Sequence, residues 1–515
     1  MSAHAAAAVP GGTAERPVNR VLITASVMAA SIMQAIDTTI ATIALPHMQG
    51  SLSGTQDQMV WVLTSYIVST AIMIPLTGWL AVRLGRKRVF LASVIGFTLS
   101  SALCGMATSL PQIVLFRALQ GASGAGLLPL SQAILLDINP REHHGRAMAI
   151  WGMGVVLGPI LGPVLGGWLT DDYSWRWVFY VNVPFGFLAA LGIIATLPET
   201  EPRRSRFDFF GFTTLSLGIG ALQLMLDRGE LKDWFASTEV RIEGVIAAIC
   251  LYLFLTHTLT AENTFISRAL FKDRNFVVGN VFIFIVGVVL FATLALMPPL
   301  LQGLMGYPVL AAGLVTAPRG IGTWVAMLVV GRIVGRIDAR LLIAIGFGLC
   351  AVALAEMGGF SPAIDAHPVV TSGLIQGFGT GLAYVSLTTV SFVTLPTYLR
   401  NEGASFFNLM RNIGSSLGIS SIQAYVTSGT SVAHARLTEL ITPYNASGAG
   451  TQIRTQLESA AGLGALNAQI NAQASWIAYL HAFQLMTIIT VLVIPLIALA
   501  RSAQPASDAG QVPLE

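Results

Sequence analysis

A chain of 515 residues that is 54% hydrophobic and only 10% charged has too few charges to clothe a soluble surface, since soluble domains carry roughly a quarter. Its net charge of +3 does not mark a nucleic-acid partner, and its natural solvent is lipid. Apolar runs of about 20 continuous residues select helices over barrel strands, which are shorter and alternate.

The N-terminal tail, 1–20, is Ala-rich and polar, and the first apolar run is too long for the core of a cleavable signal. Fourteen spans follow, at 21–45, 58–82, 88–108, 111–136, 146–169, 177–197, 208–226, 241–259, 276–301, 310–334, 341–357, 367–394, 404–426 and 479–500. They divide into a six-helix half (21–197), two inserted helices (208–259) and a second six-helix half (276–500). The second half includes an Ala/Gln/Ser/Thr/Asn-rich external loop, 427–478, and a tail, 501–515, ends the chain. An even count puts both termini on one side. With that side cytoplasmic, 19 of the 28 Lys and Arg lie in inside segments and six in outside loops, as the positive-inside rule requires. The fold class is therefore an all-α polytopic membrane protein with both termini cytoplasmic; the resemblance given below implies the cell inner membrane.

An internal repeat supports the two halves. Gly78 to Arg88 (GWLAVRLGRKR) and Gly331 to Leu341 (GRIVGRIDARL) share a Gly/Arg layout. Gln120-Gly121 returns as Gln376-Gly377, and Gly158 and Gly162 return as Gly414 and Gly418, each 256 residues on. Repeats of this kind put a substrate path between the halves near mid-membrane. Gln34, Thr38, Gln120, Gln376, Arg411 and Asn412, polar residues within spans, are the candidate cavity residues.

Asp37 lies inside the first span, about 12 Å from its outer end. A carboxylate at that depth costs several kcal/mol unless it faces a cavity or a partner, and it is suited to binding and releasing protons. Arg117 in the fourth span is at a similar depth and is the expected partner, directly or through water. A purely structural clamp is the alternative role for each. Span five carries Gly154, Gly158, Gly162, Pro163, Gly166 and Gly167. Glycines four apart make a flat packing face and proline adds a kink, so this span is expected to form a tight, bendable contact between halves. The loop containing Gly78, Arg83, Gly85, Arg86 and Lys87 is read as a cytoplasmic gating latch onto helix C-termini, where cations are favoured. Trp175 to Tyr180, with Asn182, reads as an interfacial aromatic anchor. Cys104, Cys250 and Cys350 sit apart in apolar runs. Without metal-ligand clusters, a nucleophile motif or a P-loop, the sequence gives no enzyme, metal site, cofactor or direct ATP drive.

Together IDTTIATIALP (36–46), GWLAVRLGRKR (78–88), FRALQGASGAG (116–126), LGPILGPVLGGWL (157–169), WRWVFYVNVPFG (175–186) and RNIGSSLG (411–418) resemble the major facilitator superfamily. They resemble more closely its fourteen-span drug:proton antiporters of the EmrB and QacA type, and LQLMLDRGELKDWF (222–235) resembles the EmrB branch. The resemblance covers nearly the whole chain. It implies alternating access driven by the proton gradient, with Asp37 as the membrane acid and Gly158 to Gly167 as the antiporter signature. It implies small hydrophobic or amphiphilic substrates, a periplasmic membrane-fusion adaptor and an outer-membrane channel. An exporter or permease of one metabolite, such as a fatty acid or siderophore, is the alternative on the same fold. One departure stands out: Val82 occupies a place where the superfamily loop usually has aspartate.

Overall fold

The computed structural model describes residues 20–439 and 459–500, apart from 201, 203–205, 262–263, 335 and 363. The predicted tails, except Arg20, and the middle of the loop 427–478 lie outside the described residues.

Fourteen long helices are described: α1 (Arg20–Leu52), α2 (Gln56–Leu84), α3 (Arg86–Met106), α4 (Leu110–Ile138), α5 (His144–Asp172), α6 (Trp177–Thr196) and α7 (Phe209–Arg228). They continue as α8 (Thr238–Thr260), α9 (Arg274–Leu304), α10 (Ala311–Ile333), α11 (Ala339–Met357), α12 (Ala366–Val393), α13 (Arg400–Glu439) and α14 (Ala460–Val493). Polar residues at the ends of the apolar runs start several of them. Thr55 and Gln58 form a capping box on α2, while Asp208 caps α7, Asp273 caps α9 and Ser459 caps α14.

Each predicted span coincides with one of these helices. Among the described residues, twelve are long and apolar enough to cross a membrane, and α12 and α13 fall outside that set. Both are central. Gly377 and Gly381 of α12 press on the backbone of α10, and Gly414 and Gly418 of α13 press on that of α9. Helices surrounded by protein can carry small and polar residues that lipid would penalise.

α7 lies against both six-helix groups. Gly220 packs on Ile72 of α2, Gln223 Nε2 donates to Ser416 Oγ of α13 (2.5 Å), and Ser420 Oγ of α13 donates to the Leu226 carbonyl (2.7 Å). α8 packs on α7 and exposes Ile242, Val245, Ile249, Tyr252 and Leu259, the surface expected of a lipid-facing helix. α13 and α14 run past the predicted span ends into the loop 427–478, and His434 and Asn467 pair there (2.9 Å).

Candidate functional site

Asp37 and Arg117 are almost completely buried, at 0% and 1% side-chain exposure, and form an ion pair of 2.8 Å. The pair is completed by Gln120 of the same helix as Arg117 and by neighbours from α2, α3 and α6. Gln120 Nε2 and Asn182 Nδ2 both donate to Asp37 Oδ1, at 2.9 and 2.7 Å. Arg117 Nη1 also donates to Gln120 Oε1 (2.7 Å), and its Nε to the Val62 carbonyl (3.2 Å). The guanidinium lies over the Tyr66 ring at 4.2 Å. Asn182 is in turn linked to Ser101 (3.0 Å). A buried charge pair tolerates this environment because both ions are hydrogen-bonded on several sides.

Gln120 was expected in the cavity, but it is fully buried inside the first six helices and belongs to the Asp37 cluster. Gln376 is likewise buried inside the second group, where its Nε2 donates to Thr293 Oγ1 (3.1 Å). Asn182 is the residue that sequence reading missed. The available signal was a polar side chain entering an apolar span just after an aromatic belt.

The glycines of α5 do pack tightly, but against α1. A Cβ at Gly158 would strike the backbone of Ala35, and one at Gly162 would strike Thr39. A Cβ at Gly154 would strike Met28, and one at Gly166 would lie 3.0 Å from Ile40. Thr39 Oγ1 donates to the Gly158 carbonyl (3.0 Å), reinforcing the contact. The expected contact between halves is therefore corrected: this face stays within the first six helices. A different face of α5 meets α10, with Gly145 against Val334, Gly152 against Met327 and Trp324 Nε1 donating to the Met153 carbonyl (3.1 Å). Gly167 has open space around it among the described residues, because it is rotated 100° off the i, i+4 row. Pro163 falls within the continuous helix α5.

The loop between α2 and α3 touches several helix ends. Gly78 packs on α13, where a Cβ on it would lie 3.1 Å from Glu402 Cα and 3.0 Å from Ser405 Oγ. Gly85 takes φ +92, a conformation that favours glycine. Arg86 pairs with Asp137 at 2.6 Å, and Lys87 Nζ donates to the Ile194 carbonyl near the end of α6 (3.0 Å). Arg83 lies over the Trp79 ring (5.3 Å). Asp137, at the end of α4, also accepts from Arg400 of α13 (2.6 Å). An acid absent at Val82 is thus supplied by α4, where it joins α3 to α13. Neither Asp137 nor Arg400 stood out in the sequence, because their partners lie far away along the chain.

On this basic side, where α1 begins, the two groups are joined at successive levels. Above Arg86–Asp137–Arg400 come Thr77 with Ser405 (3.4 Å) and Asn408 Nδ2 donating to Gln132 Oε1 (3.0 Å). Trp151, bonded to Ser131 (2.8 Å), stacks on Tyr384 at 6.2 Å. The face of α1 between its α4 and α5 contacts changes along its length. Val27 and Ser31 are fully buried, Gln34 nearly so with its Oε1 unpartnered, and Thr38 and Thr42 are exposed. This face of α1 therefore becomes more exposed away from the basic side, where the two groups are joined. Arg411 and Asn412 follow Asn408 on α13 and are half-buried.

Comparisons with known proteins agree with this architecture. The Major Facilitator Superfamily model matches residues 27–419. The chain is 37% identical to the multidrug export protein EmrB of Escherichia coli over 428 residues, 82% of this chain and 84% of that protein. It is 35% identical to the fatty acid resistance protein FarB of Neisseria gonorrhoeae over 484 residues, 93% and 96% of the two chains. The structure of the proton:xylose symporter XylE aligns with a TM-score of 0.59 at 14% identity, over 94% of this chain and 99% of that one. A human organic anion transporter gives 0.58 at 15%, over 92% and 100%. These last two show a shared fold. The chain is a multi-pass membrane protein that belongs to the Major Facilitator Superfamily, a family of membrane transporters, and is similar to its EmrB-type multidrug export proteins.

Proposed function

We propose that this protein is a proton-coupled antiporter that exports hydrophobic or amphiphilic compounds across the inner membrane by alternating access. Its two six-helix halves, 21–197 and 276–500, rock about the seam between them, with 208–259 inserted. The basic side, with both termini, is cytoplasmic. The observation that carries the reading is Asp37, a carboxylate sealed inside a membrane bundle and bonded to Arg117, Gln120 and Asn182. A group kept at such a depth has to be matched by function or removed by drift towards apolar side chains. Gln34 lies between Asp37 and the exposed Thr38 face, with an unpartnered Oε1, and offers the proton's entry from a cleft between the halves.

In this cycle the outward cleft delivers a proton to Asp37, the substrate leaves, and the proton departs inward after the halves rock. Loss of the carboxylate charge frees Arg117, Gln120 and Asn182 to rearrange, which ties protonation to helix position. Arg86, Lys87 and their partners form the cytoplasmic gate. The EmrB relative supports export and the FarB relative resistance to an amphiphilic compound; assembly with a periplasmic adaptor and an outer-membrane channel is part of this proposal. The length of the FarB match supports a fatty acid among the substrates.

The test is transport in inverted vesicles under an imposed proton gradient. Asp37→Asn is expected to abolish gradient-driven uptake of substrate while leaving the amount of protein in the membrane unchanged. Normal uptake by that variant sinks the coupling assignment.

A further inference from the structure

Charge at membrane depth is compensated in one half and uncompensated in the other. Arg117 has Asp37. Arg319 and Arg411 have no carboxylate within 4.0 Å among the described residues. The repeat shows why. Gln120 and Gln376 are equivalent, and the same 256-residue offset carries Asp37 to Thr293. Gln376 bonds Thr293 just as Gln120 bonds Asp37, at 3.1 and 2.9 Å. The second half keeps the amide and replaces the acid with an alcohol.

The two unpaired cations differ in setting. Arg319 is enclosed, donates to the Leu290 carbonyl (3.2 Å), and is packed over Gly373 and Gly377 of α12. Arg411 is half-buried, and its Nε has no partner. On α13 it lies between the face that meets α4 through Asn408 and the face that meets α9 through Gly414. It stands beside Tyr384, one level beyond the Trp151 stack on the basic side. A guanidinium there needs water or an anion, and water is lost when the cleft closes.

The cleft's two walls differ in the same sense. Gln34, Thr38 and Thr42 on α1 correspond, by the 256-residue offset, to Leu290, Leu294 and Pro298 on α9. One wall is polar, the other is apolar, and a lone cation lies at the bottom. We infer that Arg411 is the recognition point for the carboxylate of an amphiphilic anion, with the alkyl or ring portion lying along the α9 wall. This deepens the export reading and rests on it for the purpose of the cleft.

The experiment measures binding without a gradient. The protein in nanodiscs is dialysed to equilibrium against dodecanoate, dodecyltrimethylammonium and dodecanol, with protein-free nanodiscs correcting for partition into lipid. The wild type is expected to bind dodecanoate about tenfold more tightly than either other probe, the effect of one charge-assisted hydrogen bond. Arg411→Gln is expected to lose that preference and leave dodecanol binding unchanged. Arg411→Lys is expected to keep part of it, and Arg411→Glu to turn it towards dodecyltrimethylammonium. Arg319→Gln is expected to leave it intact. A wild type without preference for dodecanoate, or a preference that survives Arg411→Gln or Arg411→Glu, overturns the assignment. Gradient-driven transport by a protein without carboxylate preference removes this site and keeps the exporter. Carboxylate binding without transport does the reverse.

Discussion

At the residue scale, the sequence separates depth well and partners poorly. Counting 1.5 Å per residue puts Asp37 and Arg117 at one level, and the structure makes them a direct ion pair. Counting does not say which way Gln120 turns, or that Asn182 reaches Asp37 from a helix 145 positions away. Those choices depend on how five helices pack. The α5 glycines show the same limit. Spacing identifies the close-packing row, and the structure alone shows that α1 is the helix received. Gly158 and Gly167 therefore make a sharp pair of substitutions. A methyl at Gly158 meets the Ala35 backbone, which has no rotamer to move. Gly158→Ala is expected to cost about 1–3 kcal/mol, seen as a thermal midpoint several degrees lower in detergent. Gly167→Ala meets open space and gains helix propensity of about 0.5–1 kcal/mol, so its midpoint should be unchanged or slightly higher. Equal loss in both variants would show that the row is not packed as described.

At the element scale, the fourteen helices were readable because a span needs about 20 apolar residues and because their caps are local. The polarity of α12 and α13, which places them below the apolar threshold for spanning, records their central position. What the sequence did not disclose is how helix ends are tied. Arg86 and Arg400 reach one carboxylate, Asp137, at 2.6 Å each, with the arginine side chains 11% and 4% exposed. Arg88 and Glu199 also pair, at 3.4 Å, but both are about two-thirds exposed. Exposed pairs contribute little, whereas removing one member of a shielded cluster strands its partners. Asp137→Asn is thus expected to weaken the basic-side closure by about 1–3 kcal/mol, a partly exposed version of the buried-pair cost. Maleimide labelling of Ser405→Cys, whose serine is buried between α13 and α2, should speed up several-fold in the Asp137→Asn background. Arg88→Gln should leave the labelling rate alone. An unchanged rate with Asp137→Asn would remove the latch.

At the scale of the whole molecule, closure on the basic side brings surfaces of the two halves together, and one residue at that contact is titratable. Glu402 is in the first turn of α13, ahead of the predicted span 404–426, and Gly78 of α2 rests on its backbone. Burial pushes its carboxyl up to about 7 from 4.5, against the opposing effect of the Ser267 amide that donates to it. If parting of the halves on this side also exposes the carboxylate of Glu402, its carboxyl returns towards its ordinary value. The closed form then holds the proton more tightly than the open form. Linkage sets the sign: closure is favoured at low pH and loses that advantage as pH rises from 4.5 through about 7. The limit is on the order of 3 kcal/mol, from 1.36 kcal/mol per unit, and smaller where water follows the carboxylate inward. Spin labels at Arg88→Cys in the first half and Lys272→Cys just ahead of the second, both exposed, report the separation. The long-distance population should grow as the pH on the basic side is raised towards 8. Glu402→Gln, uncharged throughout, should hold the closed population across that range. If the distance distribution of the parent protein does not respond to pH, or responds equally in Glu402→Gln, Glu402 does not couple pH to the seam.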